Sequence, residues 1–337
     1  MKKLFFPFLG TLLLCPLLWA QQTEMSASRP DGHAPIHVMG DHLHAKGALM
    51  FSYRLMTMQM QGLLLSSSEV ENAEVYKKYM AAPQNMAMHM HMLGMMYAPS
   101  DKLTLMLMGN YIDNDMQLET KMNISFETQS IGFGDLSLSG LIHLAKFKRQ
   151  KVHANLGISI PTGSLNQRGS TPMNSDTRLA YPMQLGSGTW DPFVGITYLG
   201  QSDKTSWGLQ SVFKTRLGNN PEGYALGNRW NLAGWYALQA SKNLSFSGSL
   251  YYVSIGRISG KDAQLNPMMM PLFDTKNSGR KQLDIGLGSN YLISGGALKN
   301  LRFALEVKLP LSQRVEGIQM KHNWCGILGL QYAFARN

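Results

Sequence analysis

Charge, cysteine and long apolar runs are all scarce in this sequence of 337 residues. Charged side chains account for 15% of it, against roughly 25% in soluble domains. Beyond residue 20, no apolar run approaches the roughly eighteen residues that a membrane-spanning helix needs, which excludes a multi-helix membrane protein. Of the two cysteines, Cys15 lies in the leader described below, so a processed chain keeps Cys325 alone and cannot form an internal disulfide.

The first twenty residues have the pattern of a secretory signal. Lys2 and Lys3 precede an apolar stretch from Leu4 to Trp19, and the small residue Ala20 stands at the predicted cleavage point. The whole chain has a formal net charge of +10, and its cationic residues are scattered rather than clustered. This distribution argues against a nucleic-acid partner. It favours basic loops that face anionic lipopolysaccharide.

Alternation of apolar and polar residues is what the chain has in abundance. Residues 323–334 place apolar or aromatic side chains at nearly every second position, with small or polar ones between them. Because successive side chains on a strand point to opposite faces, such a strand presents one face to hydrocarbon and one to a wet interior. This is typical of the closing strand of a bacterial outer-membrane barrel. Leu330, Tyr332 and Phe334 are the predicted signal for the barrel-assembly machinery.

Period-two runs predict about twelve strands, and therefore an all-β fold that forms a transmembrane antiparallel β-barrel. The predicted strands are 46–60, 86–97, 102–112, 131–146, 150–160, 189–200, 204–217, 226–240, 243–256, 280–293, 300–311 and 321–334. Connections after even-numbered strands are short, whereas those after odd-numbered strands are mostly long: 61–85, 113–130, 161–188, 218–225, 257–279 and 312–320. Short periplasmic turns and long extracellular loops are the outer-membrane pattern. A soluble β-sandwich, the alternative, gives no reason for this sorting of loops.

This interpretation divides the chain into three parts. Residues 1–20 are the predicted signal peptide, and residues 21–45 are a periplasmic segment rich in histidine and methionine, which is a candidate plug. Residues 46–334 are the predicted outer-membrane barrel.

Methionine is unusually frequent, with 24 residues, and half of them lie in the first three predicted strands. On the second strand His89 and His91 alternate with Met88 and Met90. We expect the histidine face to point into the lumen, because histidine is costly in lipid. On the first and third strands, the apolar residues of one face are expected to meet lipid. The methionines of the opposite face therefore point inward. The predicted lumen or cargo contacts are Arg54, Met56, Met58, Met60, Met95, Met106 and Met108.

A second unusual cluster precedes the first strand, where residues 33–44 contain four histidines, an aspartate and a methionine. Imidazole and thioether groups favour soft or borderline ions such as Cu(I), Ag(I) and, less often, Zn(II). The spacing matches no closed zinc motif. The alternative is that methionine fills gaps and that the histidines form hydrogen bonds within a plug. With copper as the expected ion, the predicted metal ligands are His33, His37, Met39, Asp41, His42, His44, His89 and His91.

Short motifs are spread over most of the mature chain. They are Gly32-His33-Ala34-Pro35, Met39-Gly40-Asp41-His42, Met95-Met96-Tyr97-Ala98-Pro99-Ser100, Gly134-Asp135-Leu136 and the segments 156–164, 181–191 and 265–269. Together they resemble a family of outer-membrane transporters of the "MetA-pathway of phenol degradation" type, over about residues 30 to 334. The resemblance implies a barrel similar to channels for hydrocarbons or aromatic compounds.

The leading hypothesis is therefore an outer-membrane channel for small solutes, with hydrophobic or aromatic compounds as cargo. A barrel that binds or transports copper through a lumen of methionine and histidine is the first alternative. A non-conducting structural barrel or an outer-membrane enzyme is the second. No catalytic residues are predicted, because no G-x-S-x-G elbow is present, and Ser139 and His143 on one strand lie about 13 Å apart. The expected partners are outer-membrane lipid and lipopolysaccharide, the assembly machinery and the cargo.

Overall fold

The computed structural model describes residues 25, 26 and 28–334, so the predicted signal peptide lies outside the described residues. In the described part of the chain, twelve long strands form one antiparallel sheet. They are β1 (Leu49–Leu65), β2 (Ala81–Ser100), β3 (Leu103–Thr120), β4 (Leu136–Phe147), β5 (Gln150–Ile160), β6 (Asp191–Gln201), β7 (Thr205–Lys214), β8 (Arg229–Gln239), β9 (Leu244–Ile255), β10 (Arg280–Leu292), β11 (Leu301–Val315) and β12 (Ile318–Phe334).

The sheet closes on itself, because β12 pairs with β1 along most of its length, from Leu49 opposite Phe334 to Leu65 opposite Ile318. A separate strand, Ser125–Phe133, continues β4 toward the long-loop end of the barrel. It pairs with the half of β3 that lies nearest that end. The predicted twelve-stranded antiparallel barrel is therefore confirmed. Closure pairs the first strand with the last, so neither is left as an open sheet edge.

The connections sort by length as the sequence predicted, with two differences. At one end, β2–β3, β4–β5, β6–β7, β8–β9 and β10–β11 are joined by short turns. At the other end, 66–80, 161–190, 215–228 and 256–279 are long, but the predicted loops 113–130 and 312–320 are mostly strand. These two hairpins continue past the barrel rim: Met116 and Leu118 are buried inside, whereas Asp115 and Gln117 face water.

Exposure along the strands follows the predicted alternation. On β12, Leu328 and Leu330 are exposed on the outside, whereas Ile327 and Gln331 are buried inside. The outward side chains of the barrel are predominantly apolar, including Phe51, Leu93, Leu105, Leu107, Leu138, Leu156, Ile196, Leu209, Phe246, Leu250, Leu287, Leu305 and Leu309. An apolar belt around a closed barrel matches a hydrocarbon environment.

Helical structure in the described residues is limited to single turns. They are the α-helical turn Asn72–Val75 and the 3-10 turns Pro30–Gly32, Tyr181–Met183, Pro271–Phe273 and Thr275–Asn277. No described helix has the length and apolar character needed to cross a membrane. Short strands add to the long loops: Ser68–Val70, the hairpin Arg168–Thr171 with Asn174–Arg178, and the pair Tyr224–Ala225 with Ser259–Gly260.

Residues Leu330, Tyr332 and Phe334 lie on the outer face at the short-turn end of β12. Leu330 and Phe334 are exposed, and the Phe334 ring contacts Phe51 and Tyr332 edge to face. Their role as an assembly signal stays a prediction.

Candidate functional site

Residues 28–44, the lumen segment, lie inside the barrel at the end with the short turns. Arg29 Nη1 donates to the carbonyl of Ser202 in the β6–β7 turn (2.6 Å), and the His44 N–H donates to Thr104 Oγ1 near the start of β3 (3.0 Å). Between these two points most of the segment is buried. The interior therefore holds a crossing chain, in the region that the sequence assigned to a periplasmic segment and candidate plug.

Three backbone carbonyls of the lumen segment accept hydrogen bonds from three different strands. The pairs are Ala34 with Arg302 Nη2 (2.8 Å), Met39 with Gln210 Nε2 (3.0 Å) and Gly40 with His153 Nε2 (2.9 Å). The last of these hydrogen bonds is made at a turn that depends on Gly40, whose φ of +63° is a conformation that favours glycine. These contacts satisfy backbone groups that would otherwise be buried without partners.

Glu306 on β11 makes the strongest polar contact with the lumen segment. Its fully buried carboxylate accepts the backbone N–H of His37 (3.0 Å) and lies 2.7 Å from His37 Nδ1. Ser249 Oγ on β9 donates to the same carboxylate (3.0 Å). Because hydrogen bonds to a charged group are roughly twice as strong as neutral ones, this contact anchors the segment to the wall.

Three of the predicted metal ligands, His33, Asp41 and His42, come together inside the lumen segment. One nitrogen or oxygen atom from each lies within 4.8 Å of those of the other two, and all three residues are buried. His44 lies beside them, with its ring centroid 4.6 Å from that of His42. Burial lowers the pKa of His33 and of His44 to about 3, so both imidazoles are neutral at neutral pH.

The remaining predicted ligands of this segment are engaged elsewhere. His37 is held by Glu306, and Met39 offers its backbone carbonyl to Gln210. Of the eight predicted metal ligands, three lie close together in the fold, and His44 lies beside them.

The inner faces of β1, β2 and β3 form a methionine wall. Arg54, Met60 and Met106 are buried on the inside, and Met56, Met58 and Met108 are partly buried there. The sequence predicted all six as lumen contacts, and each lies on the inner face. Strand register places further methionines opposite them: Met56 faces Met90, Met58 faces Met88, Met60 faces Met86, and Met96 faces Met106.

The predicted orientation of β2 is wrong. His89, His91 and Met95 lie on the outer face with Leu93, and the methionines between them point inward. His91 Nδ1 lies 2.8 Å from Tyr53 Oη, and His89 Nδ1 lies 3.1 Å from Thr57 Oγ1 on the neighbouring strand. The expectation that lipid excludes these histidines from the outer face fails because they lie at the edge of the apolar belt that is nearest the long loops. There the outer face of β3 changes to Asp113 and Asp115, side chains that require water.

A cationic side of the lumen, on strands β7 to β11, is separated from the methionine wall by β12, and the sequence indicated it only partly. Lys308 Nζ lies 4.3 Å from the ring centroid of Tyr251, and Lys214 Nζ lies 5.4 Å from that of Phe193. Arg229 Nη2 donates to Tyr251 Oη (3.2 Å). Among the described residues, neither lysine forms an ion pair. Alternation places Arg302, Glu306 and Lys308 on the inner face of β11, but the meeting of Lys308 and Arg229 at Tyr251 was not visible in the sequence.

The cationic and methionine surfaces meet at one level. Lys308 pairs with Cys325, Cys325 pairs with Met58, and Met58 pairs with Met88. Neighbouring strands lie about 4.8 Å apart, so roughly 10 Å of wall separates Lys308 from Met58. This level stands directly above the lumen segment, because His37 packs edge to face against Tyr251 (5.2 Å). It is the candidate site.

The long loops form an apolar cap over the opposite mouth. Its core includes Tyr79, Tyr181, Met183, Tyr224, Leu265, Met270 and Phe273, packed on Met60, Met86, Met116 and Met320 of the barrel. A buried ion pair links Arg178 to Asp262 (2.6 Å), and Lys78 pairs with Asp274 (2.9 Å). The interior thus lies between the lumen segment below and the cap above.

Comparison with solved structures gives the fold. An outer-membrane channel from Pseudomonas putida matches with a TM-score of 0.60 and 13% identity, covering 88% of this chain and 98% of that one. The transport unit of the autotransporter AIDA-I from Escherichia coli gives a TM-score of 0.47 and 12% identity, covering 88% and 93%. A Pseudomonas aeruginosa FadL homologue gives 0.41 and 8%, covering 85% and 90%.

No protein-family model matches the chain, and no curated protein is significantly similar to it in sequence. Membership of the family named above therefore stays a prediction. The first comparison and the closed barrel with its apolar belt agree that this is an outer-membrane β-barrel.

Proposed function

We propose that this protein is an outer-membrane channel for small solutes that combine an apolar, aromatic body with a negatively charged group. The observation that carries the proposal is the level at which Lys308 and Arg229 converge on Tyr251, on the same ring of residues as Met58 and Met88. Thioethers make favourable contacts with aromatic rings, and unpaired ammonium groups attract carboxylates or sulfonates.

The likeness to an outer-membrane channel supports a channel, and the resemblance to aromatic-uptake channels supports an aromatic cargo. In this proposal the lumen segment is a plug, and its release opens the path to the periplasm. An anionic solute that binds beside Tyr251 competes with the packing of His37, which would make opening depend on the solute. The absence of a nucleophile elbow gives no support to an enzymatic role.

The test is uptake into proteoliposomes of the purified full chain, with two membrane-impermeant anions. Naphthalene-2-sulfonate has an aromatic body, and gluconate has none. We expect naphthalene-2-sulfonate to enter faster. Lys308→Met keeps the length of the side chain but removes its charge, and should weaken uptake about 10- to 100-fold, the value of a hydrogen bond to a charged group.

Met58→Ser should instead reduce the preference for naphthalene-2-sulfonate over gluconate. Met95→Leu, on the outer face of β2, is the matched control and should change neither rate. Uptake no faster than in empty liposomes, or equal entry of both anions that is insensitive to Lys308→Met, would show the proposal to be wrong.

A second candidate is passage of Cu(I) along the facing thioethers of β1 and β2. Its predicted imidazoles, His89 and His91, lie outside, and the cations at Lys308 and Lys214 repel a positive cargo. Ion selectivity separates the two candidates: a reversal potential in a salt gradient that favours anions supports the first, and one that favours cations supports the second.

A further inference from the structure

The lumen segment bends so that residues 33 and 34 meet Asp41. Asp41 Oδ2 accepts the backbone N–H of Ala34 (3.0 Å), which brings His33 next to the carboxylate although eight residues separate them in sequence. Asp41 Oδ1 lies 2.9 Å from His42 Nδ1. The rings of His33 and His42 stand edge to face with centroids 4.3 Å apart.

The hydrogen bonding of this cluster is incomplete. His33 Nδ1 lies 3.7 Å from Asp41 Oδ2, too far for a hydrogen bond, and it has no other partner. The Nε2 atoms of His42 and His44 are also buried without a partner. Buried polar atoms are nearly always paired. Three such atoms within one small cluster call for a missing ligand.

The donor set has the chemistry of a metal site. Two imidazoles and a carboxylate are ligands that borderline divalent ions prefer. A tetrahedral ion with bonds of about 2.1 Å needs ligand atoms roughly 3.4 Å apart, so side chains separated by up to 4.8 Å must close by about 1.4 Å.

We propose that His33, Asp41 and His42 bind one borderline divalent cation, with Zn²⁺ as the reference ion, inside the lumen segment. The ion ties residue 33 to residues 41 and 42 and gives a partner to the unpaired nitrogens of His33 and His42. Arg302 and Arg54 lie near enough to repel a bound cation, so we expect micromolar affinity, weaker than that of a structural zinc site. The binding itself does not depend on the proposed transport; only a stabilising effect on the plug rests on it.

The test is isothermal titration of the full chain in detergent, after removal of metal by a chelator, with zinc chloride alone as the probe. We expect one ion per chain. The double variant His33→Ala/His42→Ala should lose this binding, and Asp41→Asn should weaken it at least about tenfold, because it removes the charge on one ligand.

The matched control is His89→Ala/His91→Ala, which removes two histidines from the outer face and should leave binding unchanged. Resistance of the folded barrel to SDS checks that each variant has assembled. If the His33 and His42 variant does not fold, Asp41→Asn and the control decide. No stoichiometric binding by the parent, or equal binding by the parent and a folded cluster variant, overturns the proposal. Because no current is measured, failure of the channel proposal leaves this result intact.

Discussion

The anchor between Glu306 and His37 is the contact by which the proposed plug can be opened with least damage to the barrel. Glu306→Gln keeps the size of the side chain and one carbonyl oxygen for the backbone N–H of His37. It removes the negative charge that holds the imidazole at 2.7 Å. A charge-assisted hydrogen bond contributes about 1.5–3 kcal/mol, and removing one partner of a buried pair costs about 3–5 kcal/mol.

Because Gln retains part of the hydrogen bonding, we expect the lumen segment to lose about 2–3 kcal/mol of binding to the wall. This corresponds to an increase of about 30- to 150-fold in the equilibrium constant for its release. The assay is single-channel recording in planar bilayers, where the fraction of time spent open should rise by this factor as long as the closed state still predominates.

Glu127→Gln is the matched control, since Glu127 is exposed on the strand that extends β4. Equal open times for Glu306→Gln and the parent, with both assembled as SDS-resistant barrels, would refute the view that this contact holds the lumen segment in place. An equal rise in Glu127→Gln would show that the effect is not specific to the anchor.

Three further perturbations follow from the structure. Gly40→Ala forces a side chain into the left-handed turn and within 3.0 Å of Leu141 Cδ2; a cost of about 1–2 kcal/mol should raise the open fraction roughly 5- to 30-fold, and an unchanged open fraction would contradict it. Burial opposes ionisation of Asp274, but hydrogen bonds from Lys78 and Tyr79 hold its pKa below the usual 3.8. A lowered carboxyl pKa contributes stability that is present above pH 3.8 and lost below it, so pepsin should cleave the 256–279 loop faster, relative to an unfolded substrate at the same pH, only as the pH falls below about 4, and Asp274→Asn should abolish that relative pH dependence. Phe334→Ala should reduce the amount of SDS-resistant barrel in the outer membrane because it removes an outer-face aromatic that packs on Phe51, whereas normal assembly would remove Phe334 from the predicted signal.

The barrel could be predicted because its determinants are local. Alternation on β12, with Leu328 and Leu330 outward and Ile327 and Gln331 inward, is a property of strand geometry that needs no tertiary information. The inward placement of Met56, Met58 and Lys308 follows from the same period. Strand ends were less accurate, since β3 and β12 continue past the apolar belt once inward residues such as Met116 and Ile318 can pack on the cap.

Alternation by itself decides which residues share a face, and on most strands the apolar set also decides which face meets lipid. On β2 neither face is wholly apolar, so alternation does not decide which face points outward. The position of His89 and His91 at the edge of the belt and their contacts with Thr57 and Tyr53 decide it. The lumen segment has no alternation of apolar and polar residues from which its position could be predicted. Its entry into the barrel, and the meeting of His33, Asp41 and His42 there, depend on hydrogen bonds to strands more than a hundred residues away, such as that from His153 to Gly40, which only the closed tertiary structure brings within reach.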